Sequence, residues 1–437
     1  MLILLFLAGG SARADVLGQV VVRTGAWTVL VACVLFQRRA ALVGPRPVFW
    51  LMLVALLTVA IQLIPLPPSI WQALPGRSIL TGAVEEGVAP WRPIAIVPGA
   101  AFNAASSLVV PFAILFALGG VRAYERRWVF NLLFGLIVTS MLIGLIQFSG
   151  VDLRNPLLNG DARQVSGLFA NRNHFALFMA MGCAIAPVWA FPAGRSPGWR
   201  LPVLGGLLVL FLLTILASGS RAGLLLGGIG LLLGALLIWP RAQRELRRYP
   251  RWVLPVGSVL LILAFVAASF AAGRAASIDR LFETDQLQDM RTRALPTVLL
   301  MIQTYFPVGS GFGGFDPVFR IHEPFGLLKT TYFNHAHNDL LEIILDGGLP
   351  ATLLLVAGLG WWCHTTLRAL RAPRFGGGAI PPLLGSSLLL LLFVASLFDY
   401  PARTPIMMAV FVIAATWLAS GDNLSTRSTL PDAPQQL

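Results

Sequence analysis

The sequence has little charge. Aspartate, glutamate, lysine and arginine make up 12% of its 437 residues, whereas soluble domains are about a quarter charged. At the same time 57% of the residues are hydrophobic, so the charges are too few to cover a globule of this size in water. This composition excludes a soluble enzyme and a disordered chain. It predicts an all-α, polytopic membrane protein built from helices of about 20 apolar residues.

Cysteine and lysine are also scarce. The three cysteines, Cys33, Cys183 and Cys363, all lie in apolar runs, which excludes a disulfide framework and is typical of small buried residues. Lys329 is the only lysine, so arginine supplies almost all of the positive charge. On a soluble protein a net charge of +13 would indicate nucleic acid. In a membrane protein it indicates basic cytoplasmic loops instead, and we expect no nucleic-acid partner.

Twelve hydrophobic segments are predicted to be membrane helices. Residues 1–14 are open to two interpretations, a helix or a cleaved signal, because Ala12-Arg13-Ala14 resembles a signal-peptidase site. The segments are approximately 1–13, 17–36, 47–65, 102–120, 129–149, 173–192, 201–217, 221–239, 252–272, 339–363, 382–398 and 403–419.

The loops between these segments alternate in charge. One set, together with the tail, holds 17 arginines and only four acids, and the rest of the chain is balanced. By the positive-inside rule that set is cytoplasmic. We therefore expect one integral membrane domain over 1–420, with a polar cytoplasmic tail over 421–437. The outer side then carries two long segments, 66–101 and, before helix ten, 273–338.

The unusual polar clusters all fall on the outer side under this topology. Scattered solvated loops would show no such preference, so the shared face is the main functional signal. The clusters are 161–175, 218–223, 289–293, 309–315, 334–342 and 399–403.

Two of these clusters begin helices. Ser218 or Ser220 can cap the helix that starts near Arg221, and its free N–H groups, its dipole and the guanidinium together favour an anion such as phosphate. Asn171 can cap the helix that starts with Arg172 and Asn173, two candidate substrate contacts. The alternative for both arginines is a contact with lipid headgroups.

Two further clusters carry arginine or histidine. Arg291 and Arg293 lie on different faces of a helix, so we expect one of them to point inward; the alternative is an ion pair with Asp289. His337 is a candidate general base, and His335, Asn338 and Glu342 are candidate substrate contacts. A zinc site from these histidines has no further His or Cys cluster to support it, so we expect no metal.

The segment Gly309-Ser310-Gly311-Phe312-Gly313-Gly314 has the form G-x-G-x-x-G. It follows no predicted strand and begins no βαβ unit, so it is not interpreted as a dinucleotide site. Its glycines instead predict a tight turn or a close approach of two backbones.

The order of these motifs resembles a known family. N-R-N-H-F, S-G-S-R-A-G, R-x-R-A-L, P-V-G-S-G-F-G-G-F and H-N-D-L-L-E-I-I-L-D-G-G-L-P follow one another over roughly 160–360. This resembles the bacterial O-antigen ligase and O-antigen polymerase superfamily, and the twelve-helix layout extends the resemblance over the whole chain. Members are inner-membrane glycosyltransferases that transfer a glycan from undecaprenyl diphosphate on the periplasmic side, without a nucleotide sugar, metal or other cofactor.

The resemblance implies roles for four residues. Arg221 matches the diphosphate-binding arginine of the S-x-S-R motif, and His337 matches the histidine that acts as base or positions the acceptor hydroxyl. Arg291 is the better match to the arginine before P-x-G-x-G. Arg293 remains a rival, because Leu295 and Pro296 stand where the family often has tryptophan. Arg172 matches a further basic position. Direct displacement with these groups would invert the anomeric centre.

Three acceptors remain open on the sequence: a lipid A core for a ligase, a second lipid-linked repeat for a polymerase, and a protein hydroxyl for an O-oligosaccharyltransferase. The resemblance favours the first two. A secondary transporter is a different possibility, but it should show polar residues at mid-bilayer depth in paired broken helices, and no inverted repeat is visible. A non-catalytic membrane scaffold is the remaining alternative.

Overall fold

The computed structural model describes residues 1–36, 45–81, 89–121, 126–153, 155–160, 164–192, 194–246, 286–328, 333–372 and 380–420. Over this part the fold is helical, which confirms the predicted class. The α-helices are α1 (Leu2–Ala8), α2 (Leu17–Phe36), α3 (Arg46–Ile61), α4 (Pro68–Trp71), α5 (Ser78–Thr81), α6 (Pro98–Ser107), α7 (Val109–Gly120), α8 (Arg126–Phe148), α9 (Arg172–Ala190), α10 (Arg200–Ser218), α11 (Arg221–Leu246), α12 (Gln286–Tyr305), α13 (Phe315–His322), α14 (Asp339–Arg371), α15 (Ile380–Ser396) and α16 (Pro405–Ala419).

Apolar helices occupy ten of the twelve predicted membrane segments. Among the described residues, seven helices are long and apolar enough to cross a membrane, with α6 and α7 counted as one, and α3, α15 and α16 are shorter apolar helices. The chain is therefore a multi-pass membrane protein. Helix α1 has only seven residues, about 10 Å of helix, which is too short to cross a bilayer core of about 30 Å. The predicted segment 252–272 and tail 421–437 lie outside the described residues.

Helix α9 is the centre of the bundle. Its residues from His174 to Pro187 are all buried, as expected for a helix that is apolar on every side. Helix α11 packs closely against α9 through glycine: a Cβ added to Gly230 would lie 2.3 Å from the carbonyl oxygen of Ala180. Small residues allow such backbone contact between membrane helices, so this pair is held at short range.

The two long segments predicted on the outer side pack against each other. At the ends of the first segment, a short antiparallel ladder joins β1 (Pro65–Leu66) to β2 (Arg92–Pro93). The guanidinium of Arg77 is 2% exposed and donates to the carbonyl oxygens of Pro75, Ile94 and Gly309. Burial lowers the pKa of Arg77 to about 10, so it stays charged at neutral pH. This arginine ties the first segment to the glycine-rich turn of the second.

The glycine-rich turn docks onto a break in α14. Gly348 has φ +57° and interrupts the helix. A Cβ there would lie 2.1 Å from the carbonyl oxygen of Pro307, while the Leu349 N–H donates to that oxygen at 2.8 Å. Gly309 has φ +86° and packs against the same break. The prediction of a tight turn with close backbone approach is confirmed.

The charge bias of the loops makes a topology prediction. Phe325 lies in the second long segment and is 89% exposed, whereas Trp199 lies in an arginine-bearing loop and is 68% exposed. In a background without the exposed Cys363, we expect Phe325→Cys to react with an impermeant thiol reagent in intact spheroplasts. Trp199→Cys should react only after permeabilisation. The opposite pattern would contradict the orientation.

Candidate active site

Three helix starts and one loop meet at the same end of the bundle. These are the starts of α9, α11 and α14 and the loop between α15 and α16, residues 397–404, which we call the site loop. The first half of α12 also reaches the site loop, since Arg291 donates from there to the carbonyl oxygen of Phe398 at 3.0 Å. Helix starts present unpaired N–H groups and a positive dipole, so this end of the bundle favours an anion.

Polar side chains cap all three helices. Asn171 Oδ1 accepts from the Asn173 N–H at 2.8 Å at the start of α9. Ser220 Oγ accepts from the Gly223 N–H at 2.9 Å at the start of α11, and Asn338 Oδ1 accepts from the Leu341 N–H at 3.1 Å at the start of α14. The caps predicted at Asn171 and Ser220 are confirmed, and Asn338, predicted to bind substrate, caps its helix.

A continuous chain of hydrogen bonds crosses the site. The Ser220 hydroxyl donates to Asn173 Oδ1 at 2.8 Å, and the Asn173 amide donates to Asp399 Oδ2 at 2.5 Å. The other oxygen of Asp399 lies 3.1 Å from His337 Nδ1. The chain therefore connects the start of α11 to the histidine before α14 through the site loop.

Asp399 is the centre of this arrangement. Its side chain is 4% exposed, and it also accepts from the Asn171 amide at 3.2 Å and from the Tyr400 N–H at 3.0 Å. Burial by itself would raise the pKa of Asp399. The hydrogen bond from His337 and the nearby guanidinium of Arg291 outweigh burial and hold the pKa of this carboxyl below its ordinary range. Asp399 is therefore ionised and can only accept hydrogen bonds.

The partner of Asp399 fixes the tautomer of His337. Because an ionised carboxylate only accepts, Nδ1 of His337 carries the proton and Nε2 carries the lone pair. Burial lowers the pKa of His337 from 6.5, and the bond to Asp399 offsets only part of that effect. A neutral imidazole with a free lone pair at Nε2 is the form that a general base requires.

The backbone and the rings around His337 also hold it in place. Its φ is +50°, an uncommon value for a residue with a side chain. The rings of Phe333 and Tyr400 lie 5.2 Å and 5.0 Å from the imidazole, centroid to centroid. Strained backbone of this kind persists where the surroundings over-determine it, as at functional sites.

The two rival arginines of α12 point to different places. The Arg291 guanidinium lies 3.7 Å from Asp399 Oδ2, with its side chain 25% exposed. Arg293 donates to the carbonyl oxygen of Gly326 at 2.9 Å and lies outside this cluster. The geometry thus brings Arg291 to the site and not Arg293.

Arg172 and Arg221 are the first residues of α9 and α11. Both are half-buried, and each adjoins a member of the hydrogen-bond chain, Asn173 or Ser220. Their positions place two further positive charges at the helix starts that meet the site loop.

A second network lies beside the first. Asp339, Glu342 and Asp346 recur along one face of α14, and Arg403 of the site loop contacts all three, with nitrogen-to-oxygen distances of 3.3 Å, 3.1 Å and 3.6 Å. Glu342 also lies 2.9 Å from His335 Nδ1 and accepts from the Ala336 N–H. The network fastens the segment before α14 to the helix and to the site loop.

His335 and Glu342 were predicted as substrate contacts. Glu342 is fully buried, lies 2.9 Å from His335 Nδ1 and accepts from the Ala336 N–H, so it holds His335 in place. The two histidines bond to different carboxylates, and the described residues contain no group of three or more His, Cys, Asp or Glu arranged to hold a metal ion. A contact of His335 or Glu342 with substrate stays a prediction.

Sequence reasoning missed two residues of the site, Asp399 and Arg403. Both belong to the polar cluster 399–403, which was noted for its outer position but given no role. A usable signal for Arg403 existed, because three acids at spacings of three and four on a membrane helix require a cation. No comparable signal pointed from Asp399 to His337.

A comparison with protein families gives a match over part of the chain. Residues 206–356 match the family described as O-antigen ligase. This confirms the resemblance to the O-antigen ligase and O-antigen polymerase superfamily and supports glycosyl transfer of that general kind. The matched part includes Arg221, Arg291 and His337 but not Asp399. No curated protein matches the chain.

The acid-rich face of α14 makes a stability prediction. Arg403→Leu leaves three buried acids without their cation, and loss of one partner of a buried pair costs about 3–5 kcal/mol. We expect a clearly lower melting temperature for the purified protein in detergent. Arg320→Leu is the matched control, since Arg320 forms an exposed pair with Asp316, and such pairs contribute about 0–1 kcal/mol. Equal melting of Arg403→Leu and the wild type would contradict this account.

Proposed function

From the family match and the geometry of this site, we propose that the protein transfers a glycan from undecaprenyl diphosphate to an acceptor hydroxyl. The observation that carries the proposal is the His337–Asp399 pair, 3.1 Å apart and buried at the meeting point of three helix starts. A histidine held by a carboxylate in one tautomer, next to an anion site, suits removal of a proton from a hydroxyl that attacks a phosphate-linked sugar.

The reaction follows as a direct displacement. The acceptor hydroxyl gives its proton to His337 Nε2 as its oxygen forms a bond to the anomeric carbon. The bond from that carbon to the diphosphate oxygen breaks, and the electron pair leaves with undecaprenyl diphosphate. Attack on the face opposite the leaving group inverts the anomeric centre. No metal enters this scheme.

Positive charge stabilises the leaving group. Arg221 at the start of α11 and Arg291 of α12 are assigned to the diphosphate, where negative charge develops as the bond breaks. Arg172 and Asn173 at the start of α9 are assigned to the phosphate or to sugar hydroxyls. The helix dipoles of α9 and α11 add to the same field.

We place this end of the bundle on the periplasmic side of the bacterial inner membrane. The support is the arginine bias of the opposite loops, 17 arginines against four acids. The acceptor is then a lipid A core or a second lipid-linked repeat, as for a ligase or a polymerase, and a protein hydroxyl is the alternative. A transporter is disfavoured, since the polar residues of both networks gather at one end of the bundle.

The proposal predicts that His337 is indispensable. With purified protein, a lipid-linked glycan donor and excess EDTA, we expect wild-type transfer to persist and His337→Asn to lose about 10²–10⁴-fold in rate. Asparagine keeps a hydrogen bond but cannot take a proton at neutral pH. Loss of wild-type activity in EDTA with recovery in zinc would contradict the metal-free scheme, and an active His337→Asn would reject the general base.

The pH dependence of the wild type belongs to the same experiment. The base must be neutral, and the pKa of His337 is lowered from 6.5 by burial. As the pH falls, transfer should therefore decline with a midpoint below pH 6.5, as the imidazole takes up a proton. A decline centred above pH 6.5 would contradict the assignment.

A further inference from the structure

A groove of about 670 Å³ adjoins the site, and no residue of α9 or α11 lines it. Its walls include α2, α3, α6, α7, α14, α15 and α16, and they are mostly aliphatic and aromatic. It follows α14 from Asp339 to Trp362, a distance of about 35 Å at 1.5 Å per residue. The groove is thus about as long as the hydrocarbon core of a bilayer is thick, roughly 30 Å. One end of it touches the site at Asn334, His335 and Arg403.

Besides Arg403, two cations of the described residues line this groove, Arg13 and Arg23. Arg13 forms an ion pair with Asp15 at 2.6 Å. Arg23 of α2 donates from Nη1 to Asn103 Oδ1 of α6 at 2.8 Å. Its Nε is buried and has no hydrogen-bond partner, and no described carboxylate forms an ion pair with it. A guanidinium inside a membrane domain is costly unless something compensates its charge, and such residues mark ligand paths. Among the described residues this guanidinium thus has an unsatisfied N–H and a neutral amide as its side-chain partner, an arrangement that favours an anion.

The depth of Arg23 matches a lipid phosphate. Arg23 lies six residues from the start of α2, and Asn103 lies five residues from the start of α6. At 1.5 Å per residue both are about 7–9 Å below the site end of their helices. Phosphate groups of lipids lie near the membrane surface, with their chains pointing inward, which is the direction in which the apolar part of the groove continues.

We propose that this groove holds a lipid that carries a phosphate. Its phosphate lies against Arg23 and Asn103, its chains follow α14, and its headgroup passes Asn334 and His335 toward His337. The inference rests on the proposed function and deepens it: the donor diphosphate is assigned to Arg221 and Arg291, so the lipid in the groove is the acceptor. None of Arg172, Arg221, Arg291 and His337 lines the groove, so the groove is separate from the residues assigned to the donor.

This assignment selects among the acceptors. A transfer from lipid to protein needs one lipid path, whereas a transfer from lipid to lipid needs two. The groove therefore favours a lipid-anchored glycan, as in a ligase or a polymerase, over a protein hydroxyl.

The test uses two photoactivatable lipids in nanodiscs of neutral phosphatidylcholine. Phosphatidic acid and diacylglycerol carry the same diazirine-bearing chain and differ only in the phosphate. Cross-linked peptides of α3 and α14 are quantified by mass spectrometry. We expect phosphatidic acid to label the wild type about tenfold more than diacylglycerol, because charge-assisted bonds to guanidinium are strong. Arg23→Gln should remove this preference, and Asn103→Leu should reduce it.

Two pairs of controls make the result specific. Gly358 lines the groove and Gly360 does not, and a Cβ added to either meets nothing within 4 Å. Gly358→Trp should therefore lower labelling by both lipids, and Gly360→Trp should leave it unchanged. Arg200, which stacks on Trp189 at the other end of the bundle, provides Arg200→Gln as a charge-matched control that should label as the wild type does.

Equal labelling of the wild type by the two lipids, or an unchanged preference in Arg23→Gln, would overturn the phosphate site. Unchanged labelling in Gly358→Trp would overturn the groove.

In the transfer assay Arg23→Gln should raise the KM for a lipid-linked acceptor by about tenfold and leave the KM for the donor unchanged. Labelling needs no turnover, so an inactive wild type would reject the proposed function while the labelling still decides this inference.

Discussion

A carboxylate that is removed from water must be surrounded by hydrogen-bond donors, and this requirement at Asp399 determines the shape of the site. Asn171 and Asn173 supply donors from the start of α9, and His337 supplies one from the segment before α14. Arg291 adds positive charge from α12. One buried charge thus brings together elements that are far apart in the chain and orients the imidazole, while burial of His337 favours its neutral, proton-accepting form.

The second network applies the same requirement to α14. Arg403 compensates three buried acids, and Glu342 in turn holds His335. The ring of Tyr400 connects the two networks, because it lies 4.2 Å from the ring of His335 and 5.0 Å from that of His337, centroid to centroid. The position of the proposed base therefore depends on both networks, and the groove beside Arg403 reaches the site through the second one.

Local features of this site could be predicted from the sequence, and long-range pairings could not. The caps at Asn171 and Ser220 depend on residues two or three positions away. Ten apolar helices followed from apolar runs, although α1 proved to be only seven residues long. The choice of Arg291 over Arg293 depends on Phe398, 107 residues away, and the pairing of Asp399 with His337 spans 62 residues. Such contacts depend on how the helices pack, which a single sequence does not record.

The most direct test of the central claim is a double-mutant cycle on His337 and Asp399, measured as kcat for transfer of a lipid-linked glycan. If Asp399 acts through His337, Asp399→Asn alone lowers kcat relative to the wild type. The same substitution has little further effect when added to His337→Asn, because the effects of mutating residues that act as a unit are not additive. The account predicts that the double variant transfers at nearly the rate of His337→Asn alone. Losses that multiply fully in the double variant would show that Asp399 and His337 act independently and would contradict the account.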